Sequence, residues 1–306
     1  TMLAVALARS LAEGGGPAPL LLDCDVEAPD AHLFLDPVVE REETVIVPVP
    51  RIDMNRCTLC GECARACRFN ALAILGETVR VFPTLCHGCG SCALLCPERA
   101  ITEVPRPLGR LEAGTAAPGI RFAQGVLNVG EAMAVPVIRR LEGWAAPAAG
   151  GAVILDSPPG TSCPMVEAVG GCDYVILVTE PTPFGLHDLE LAAEVARTLG
   201  VPAGVVVNRD GASYESLDRF CDREGLPILL RIPFSREIAE ATARGQTLVD
   251  VEPGYAPLLR EPVARLEAEV VGSAATGRSG AAQAAGGPEP GSPGVPGPGR
   301  VEGEVT

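Results

Sequence analysis

Short apolar runs alternate along the chain with segments whose apolar residues recur at helical spacing. Six runs are largely apolar, as strands buried on both faces are, and they cover residues 20–23, 45–49, 152–156, 174–179, 204–208 and 228–232. Patterns typical of amphipathic helices cover residues 2–13, 164–170, 186–199, 214–223 and 236–244. This alternation predicts an α/β fold with a doubly wound, mostly parallel sheet.

Two cysteine runs interrupt this pattern after the second predicted strand. Both have the spacing C-x2-C-x2-C-x3-C, at an offset of 29 residues, and consist of Cys57, Cys60, Cys63 and Cys67, and of Cys86, Cys89, Cys92 and Cys96. This spacing suits two [4Fe-4S] clusters, because three thiolates hold one cluster and the fourth reaches the other. Disulfides would need an oxidising compartment and usually a short chain, and zinc ribbons pair cysteines two by two, so both alternatives are disfavoured.

Residues 51–105, which contain both runs, resemble a bacterial two-cluster ferredoxin. That resemblance implies that Cys57, Cys60, Cys63 and Cys96 hold one cluster and that Cys86, Cys89, Cys92 and Cys67 hold the other. Arg68 stands where such ferredoxins often carry proline, but this change removes no ligand. The stretch between the runs is typical of a β-hairpin. Because the α/β pattern continues on both sides, we predict an inserted α+β domain at 51–105, within an α/β domain formed by 1–50 and 106–272.

Composition and charge narrow the function classes. The 306 residues are 47% hydrophobic, which is enough for a large core beside the cysteine-rich segment. The net charge of −15 disfavours a nucleic-acid surface, and no apolar run approaches the roughly 18 residues of a membrane span. Eight cluster thiolates would be oxidised outside the cell, so we expect a cytoplasmic protein. Residues 273–306 are rich in Gly, Ala, Pro and Ser and are predicted to be disordered.

Polar residues follow several predicted strands, at the ends where ligands bind in parallel sheets. Asp23 ends the first strand, and Asp25 follows it. Asp156 ends the run at 152–156, as in the Walker B sites that order Mg²⁺. Asn208 ends a later strand. A single aspartate at such a position is more often a helix cap, so the information lies in the combination and its order.

Together these motifs resemble the MinD and Mrp branch of P-loop ATPases, and more narrowly MinD-type ATPases with an inserted ferredoxin domain. The resemblance covers residues 1–50 and 115–266. It implies that Asp25 positions the attacking water, with Asp23 beside it, and that Asp156 is linked to Mg²⁺. It implies further roles in binding nucleotide: the γ-phosphate region for Gly160, the adenine for Asn208, the base pocket for Pro233, and the end of the phosphate loop with Mg²⁺ for Thr1.

The resemblance places a first strand and a glycine-rich loop with lysine ahead of Thr1. The sequence contains neither, and it has no lysine at any position. We expect that the sequence is truncated there, in preference to natural loss of the loop. We therefore expect the 306-residue chain to bind ATP weakly and a chain with the loop to bind it tightly.

The leading hypothesis is an iron-sulfur electron carrier whose delivery of electrons to a redox partner protein is gated by ATP and Mg²⁺ in an ATP-dependent homodimer. One alternative is a MinD- or ParA-like positioning ATPase with redox-sensing clusters, which the proline and acids of residues 258–270 disfavour as a membrane helix. A second alternative is an Mrp-like carrier of iron-sulfur clusters. Cys163 lies where the nitrogenase iron protein has a bridging ligand, but we interpret it as a small residue in a turn.

Overall fold

The computed structural model describes residues 1–211 and 214–277. The helices in this part of the chain are α1 Met2–Glu13, α2 His32–Leu35, α3 Glu62–Ala66, α4 Ser91–Leu94, α5 Val135–Trp144, α6 Cys163–Val169, α7 Pro183–Leu199, α8 Glu215–Glu224, α9 Arg236–Thr242, α10 Leu248–Val251 and α11 Tyr255–Gly277. The strands are β1 Leu20–Asp23, β2 Val38–Ile52, β3 Leu72–Leu75, β4 Thr78–Val81, β5 Ile101–Ala116, β6 Ile120–Leu127, β7 Val153–Asp156, β8 Val175–Thr179, β9 Ala203–Asp210 and β10 Ile228–Pro233.

The fold is mixed α/β, as predicted, and most strands of its core run parallel. One sheet has the order β2-β5-β6-β1-β7 and another has the order β10-β9-β8. Pairing is parallel around β1 and throughout the second sheet, whereas β2, β5 and β6 pair antiparallel. The antiparallel edge and the division into two sheets, as seen in the described residues, differ from the single doubly wound sheet that the apolar runs predict.

Helix α1 packs against both sheets. Val5 and Ala8 contact the core around β1 and Phe122, whereas Ala6 and Leu7 belong to a core with Val206 of the second sheet. This division follows from the sequence, because the helix carries small or apolar residues around most of its circumference. Full burial of a side chain such as Val5 contributes roughly 1.5–3 kcal/mol. Helix α1 therefore fixes the sheet edge that bears the aspartates relative to the second sheet.

A long two-stranded ribbon connects the α/β part with the cysteine-rich segment. Strands β2 and β5 pair from Val38 with Thr115 to Ile52 with Ile101, with two register shifts between. The half of β5 from Gly109 onward also pairs with β6, so that half lies inside the first sheet. The other half extends to the segment at residues 51–105, which we call the cysteine-rich module.

The cysteine-rich module repeats its backbone as well as its sequence. Helices α3 and α4 occupy equivalent places in the two halves, and β3 and β4 form the predicted hairpin between them. Positive φ angles recur at the same 29-residue offset, in the pairs Leu59 and Gly88, Gly61 and Gly90, and Asn70 and Arg99. Non-glycine residues rarely adopt such angles. The repeated turns therefore show that both halves fold around the same kind of loop.

The described residues divide into one compact unit at Thr1–Ala264 and a second that begins at Arg265. Helix α11 contains Pro262 and continues to Gly277. Residues 273–277, which the sequence predicts to be disordered, are therefore helical. The rest of that prediction falls outside the described residues. Within the described residues, no helix combines the length and apolar character that crossing a membrane requires.

Candidate functional site

Asp23 organises the turn that follows β1. Its Oδ1 accepts a hydrogen bond from the backbone N–H of Asp25 at 3.1 Å, and its Oδ2 accepts bonds from the N–H groups of Asp30 and Ala31 at 3.0 Å each. The side chain is fully buried. The carboxyl group thus holds the loop at residues 24–31 in one conformation, next to the position of Asp25.

Three aspartates meet at the carboxyl ends of two neighbouring strands. Asp23 and Asp156 are paired in register on β1 and β7, and one oxygen of each lies within 4.8 Å of an oxygen of Asp30. Asp156 is only 7% exposed, and its Oδ2 has no hydrogen-bond partner. The nitrogen of Thr1 lies 3.1 Å from the other oxygen, Oδ1, so the predicted Mg²⁺ ligands Thr1 and Asp156 are neighbours.

Asp30 is the residue of this group that sequence reasoning missed. It lies on the loop after β1, five residues beyond Asp25, and its Oδ1 is buried without a hydrogen-bond partner. The sequence signal that could have revealed Asp30 is its position as the third acid after the first strand. Its approach to Asp156 depends on the bonds from the loop to Asp23, which no spacing rule reveals.

The electrostatics of the group favour a bound cation. Burial raises the pKa of Asp23 to about 7, the negative charge of Asp156 adds to this, and the N–H groups of Ala31 and Asp25 oppose it. Burial also raises the pKa of Asp25. Carboxylate oxygens are the ligands that Mg²⁺ prefers, and buried polar atoms are normally satisfied. The unpartnered oxygens of Asp30 and Asp156 therefore fit a divalent cation.

The raised pKa of Asp23 predicts stability that falls as pH rises in the absence of divalent cations. The unfolded carboxyl titrates near 3.8, so the folded form is favoured below that pH, and this contribution is lost as pH rises through about 7. In EDTA we expect the free energy of unfolding, measured with urea, to fall by about 2–4 kcal/mol between pH 5 and pH 8. Asp23→Asn should flatten the dependence, and an unchanged slope in that variant would contradict the assignment.

Of the other predicted nucleotide residues, Gly160 lies in the turn after β7, and Asn208 and Pro233 lie near the ends of two strands of the second sheet. Gly160 follows β7 with φ +83°, and a Cβ built there meets no atom within 4 Å, so glycine is favoured by the backbone angle and not by crowding. Asn208 lies on β9 and Pro233 ends β10, whose neighbour Phe234 donates a backbone hydrogen bond to Asp210 at 3.0 Å. The structure thus brings the predicted base-pocket residues together at the end of the second sheet and the aspartates together at the end of the first.

Cys163 begins helix α6 and is exposed. Arg209, beside Asn208, has φ +53° and forms an ion pair with Glu180 at 3.1 Å. Cys163 and Arg209 lie close in sequence to Gly160 and Asn208, and neither adds a ligand to the group of three aspartates.

The eight cysteines of the module line two separate cavities. The first cavity is partly open to solvent and is lined by Cys57, Cys60, Cys63 and Cys96 among other residues. The second cavity is also partly open to solvent and is lined by Cys67, Cys86, Cys89 and Cys92 among other residues. Each cavity therefore takes three cysteines from one run and the last cysteine from the other.

Two observations test whether these cavities suit an iron-sulfur cluster. In the described residues, no three of the sulfur atoms lie within 4.8 Å of one another, whereas a single tetrahedral zinc with Zn–S bonds of about 2.3 Å would need them closer. The N–H groups of Ala71 and Ala100 each donate to a cysteine sulfur, Cys67 and Cys96 respectively, at 3.3 Å. A group larger than a single metal ion, bound by the thiolates of all four cysteines, fits this spacing.

Burial opposes ionisation of the most enclosed cysteines. It raises the pKa of Cys92 to about 11, and it raises the pKa of Cys63 as well. Thiolates at these positions need a positively charged metal group for compensation, because a coordinating metal deprotonates a thiol. The donor set and its environment therefore fit metal ligation.

One protein family and several known proteins are similar to this chain. The sequence profile of the CobQ/CobB/MinD/ParA nucleotide binding domain family matches residues 1–249. An uncharacterized protein of Methanocaldococcus jannaschii is 27% identical over 232 residues, which are 75% of this chain and 80% of that protein. The indolepyruvate oxidoreductase subunit IorA of Archaeoglobus fulgidus is 49% identical over 45 residues, 15% of this chain and 7% of that one. The MinD cell division protein of Aquifex aeolicus is similar in structure with a TM-score of 0.47 and 15% identity, covering 86% of this chain and 91% of that one.

Proposed function

This chain belongs to the CobQ/CobB/MinD/ParA nucleotide binding domain family, and on that premise we propose that it is an iron-sulfur electron carrier gated by a nucleotide. The observation that carries the proposal is the crossed arrangement of cysteines around two cavities, on a ribbon that continues a strand of the nucleotide-binding sheet. The short similarity to an oxidoreductase subunit also fits a redox role.

On the redox side, two sets of four thiolates would hold the clusters. Cys57, Cys60, Cys63 and Cys96 would bind one [4Fe-4S] cluster, and Cys67, Cys86, Cys89 and Cys92 would bind the other. A bound cluster supplies one-electron chemistry whose potential depends on charge, hydrogen bonds to sulfur and exposure. The N–H groups of Ala71 and Ala100 would stabilise negative charge on the sulfurs of Cys67 and Cys96, respectively. Burial of Cys63 and Cys92 would keep water away from the cluster atoms that these two cysteines bind.

On the nucleotide side, the aspartates would hold Mg²⁺ and water. Asp156 and Asp30 offer buried oxygens for the cation, with Thr1 beside them, and Asp25 would orient the attacking water. Gly160 would face the γ-phosphate, while Asn208 and Pro233 would contact the base. Asp23 would keep the loop at residues 24–31 in place through its three N–H bonds.

The chain connects these two sides by a short path. The loop at residues 24–31 leads directly into helix α2, and β2 begins at Val38 and ends at Ile52, which lines the first cavity. A shift of this loop on nucleotide binding would therefore act on a strand that reaches the cysteine-rich module. We propose that an ATP-dependent homodimer uses this connection to control electron delivery to a redox partner protein.

A reconstitution experiment tests the proposal. Anaerobic treatment with iron and sulfide is expected to give about eight irons per chain and a broad visible absorption. For gating, a phosphate loop with glycines and lysine is fused ahead of Thr1, and a version with that lysine changed to alanine is the control. We expect Mg²⁺ and ATP to change the rate of electron delivery at least fivefold in the first fusion and not in the second. Two bound zinc ions without iron, or equal rates in both fusions, would refute it.

A further inference from the structure

A row of polar side chains crosses the first sheet beside the aspartate group. Asp156 of β7 is paired in register with Asp23 of β1, which is also paired with Gln124 of β6. Gln124 is in turn paired with Glu112 of β5. Residues paired in this way point to the same face of a sheet. The row therefore places Gln124 one strand away from Asp23, on the face that bears the two aspartates.

Gln124 is the uncharged member of this row, and only one end of its amide is satisfied. The residue is only 6% exposed, and its Nε2 donates a hydrogen bond to Glu112 Oε2 at 2.5 Å. Its Oε1 is buried and has no hydrogen-bond partner among the described residues. Because buried polar atoms are normally hydrogen-bonded, this oxygen needs a donor that the described residues do not supply.

The orientation of the Gln124 amide is fixed by Glu112. A flipped amide would place two acceptors, Oε1 and the Glu112 carboxylate, against each other, whereas Nε2 can donate to it. Burial raises the pKa of Glu112, but hydrogen bonds from Arg110 and Gln124 outweigh it, so the pKa lies below its usual value. Arg110 Nε donates to the second oxygen of Glu112 at 2.6 Å. Glu112 is thus held as a carboxylate, and Oε1 of Gln124 is turned away from it.

The residues on the other side of Gln124 present acceptors. Both oxygens of Asp23 accept hydrogen bonds from N–H groups of the loop at residues 24–31. The unpartnered atoms of Asp30 and Asp156 are carboxylate oxygens as well. Gln124 Oε1 and these two oxygens therefore form a set of buried acceptors without donors at one end of the sheet.

A hydrated cation would supply the missing donors. Mg²⁺ is usually bound through one or two carboxylates and keeps several waters, which can donate hydrogen bonds. An acceptor bonded to such a water lies roughly 4–5 Å from the metal, since Mg–O distances are about 2.1 Å and O–H···O distances about 2.7 Å. Neighbouring strands are about 4.8 Å apart. A residue one strand from Asp23 is therefore suited to contact a metal-bound water, and not to be a direct ligand.

We propose that Gln124 is a positioning residue of the cation site, and that its Oε1 accepts a hydrogen bond from a water on the Mg²⁺ that Asp30 and Asp156 would hold. The inference rests on the nucleotide side of the proposed function and adds a residue to it. Because Glu112 fixes the amide, the acceptor is in place before the cation binds. An acceptor that is fixed in advance favours binding, since little conformational entropy is lost when the complex forms.

An ordered water held by the protein alone is the competing explanation for Gln124 Oε1. Such a water would be bound with and without Mg²⁺, so removing the acceptor would change the stability of both states equally. The affinity for Mg²⁺ would then stay the same. This affinity, and not the stability of the chain, therefore distinguishes the two explanations.

The test measures the dissociation constant of Mg²⁺ alone for the full chain and its variants. It is obtained from the shift of the urea unfolding midpoint over a series of Mg²⁺ concentrations, at pH 8 and constant ionic strength. Gln124→Met removes both ends of the amide with little change in length. Asn128→Leu is the matched control, because Asn128 lies four residues further along and its Nδ2 also donates to β5, at Pro107 O and 3.3 Å.

We expect Gln124→Met to raise the dissociation constant of Mg²⁺ about tenfold, as is typical when a group that orients metal ligands is lost. Asn128→Leu should leave it unchanged. Glu112→Leu should raise it about twofold, because the amide can then adopt two orientations and only one presents Oε1. Gln124→Glu keeps an acceptor and should not weaken Mg²⁺ binding, although it loses the bond to Glu112. If Gln124→Met does not fold, the last two variants carry the test.

The inference is overturned by an unchanged dissociation constant in Gln124→Met, by an equal rise in Asn128→Leu or Glu112→Leu, or by weaker binding in Gln124→Glu. A parent chain that does not respond to Mg²⁺ overturns the cation site and this inference together. A parent chain whose response is lost in Asp156→Asn but kept in Gln124→Met overturns only this inference. Failure of the proposed electron carrier has a separate signature, because reconstitution then gives no iron.

Discussion

Replacing Cys57 and Cys96 together by serine is expected to remove about four of about eight irons, whereas replacing Cys89 and Cys96 together should remove nearly all. The reason is the crossed arrangement, in which Cys57 and Cys96 line the first cavity but Cys89 lines the second. The first pair of changes therefore removes two ligands of one cluster, and the second pair removes one ligand of each cluster. Iron and acid-labile sulfide, measured after anaerobic reconstitution, distinguish the two outcomes.

The controls for this experiment come from the same chain. Cys172 and Cys221 lie outside the module, and serine at either position should leave the iron content unchanged. If each run of four cysteines held its own cluster, Cys57 with Cys96 would remove nearly all the iron. That result would disprove the crossed arrangement while leaving two clusters in place. Unchanged iron in both double variants would argue against cysteine ligation altogether.

Asp156→Asn is expected to abolish the stabilisation of the chain by Mg²⁺. The change removes a carboxylate whose buried Oδ2 has no hydrogen-bond partner and lies in the group formed with Asp23 and Asp30. With Mg²⁺ at about 100 times its dissociation constant, the parent chain should gain about 2.7 kcal/mol, and the variant should gain almost nothing. Urea unfolding with and without Mg²⁺ measures both effects.

Asp173→Asn is a suitable comparison, because it removes an acid outside the three-aspartate group. It should leave the response to Mg²⁺ intact. Should Asp156→Asn respond to Mg²⁺ as strongly as the parent chain, the aspartates would not form the cation site.

Most of the parallel strands were predictable because they are short and largely apolar. Strand β6, which pairs parallel with β1, was missed because Arg121 and Gln124 interrupt its apolar residues. Strand β1 and helix α1 have the bounds that the sequence predicts, and β7 to β10 differ by a few residues at their ends. Strand β5 escaped prediction because Pro105, Pro107 and Gly109 interrupt any strand pattern, and most of β2 because its first half is exposed. The pairing of β2 with β5 gives these segments their structure, and a single-segment pattern does not contain that pairing.

The residues of the candidate sites were likewise predictable only in part. The spacing of the eight cysteines predicted two sets of four, and the structure arranges the same sets around two cavities, although their role as ligands stays a prediction. The aspartates at strand ends were predictable from apolar runs followed by acids. Asp30 was not, because the loop that carries it takes its shape from hydrogen bonds to Asp23.

The pairing of Ile52 with Ile101 has a consequence for how such a protein could arise. The two ends of the cysteine-rich module leave the ribbon side by side, so an ancestral sheet could have closed this point with a tight hairpin turn. Inserting or exchanging the module would alter the tip of one ribbon and leave the rest of the strand order as it was. The same nucleotide-binding sheet could therefore carry different inserted modules at the tip of this ribbon without a change in its strand order.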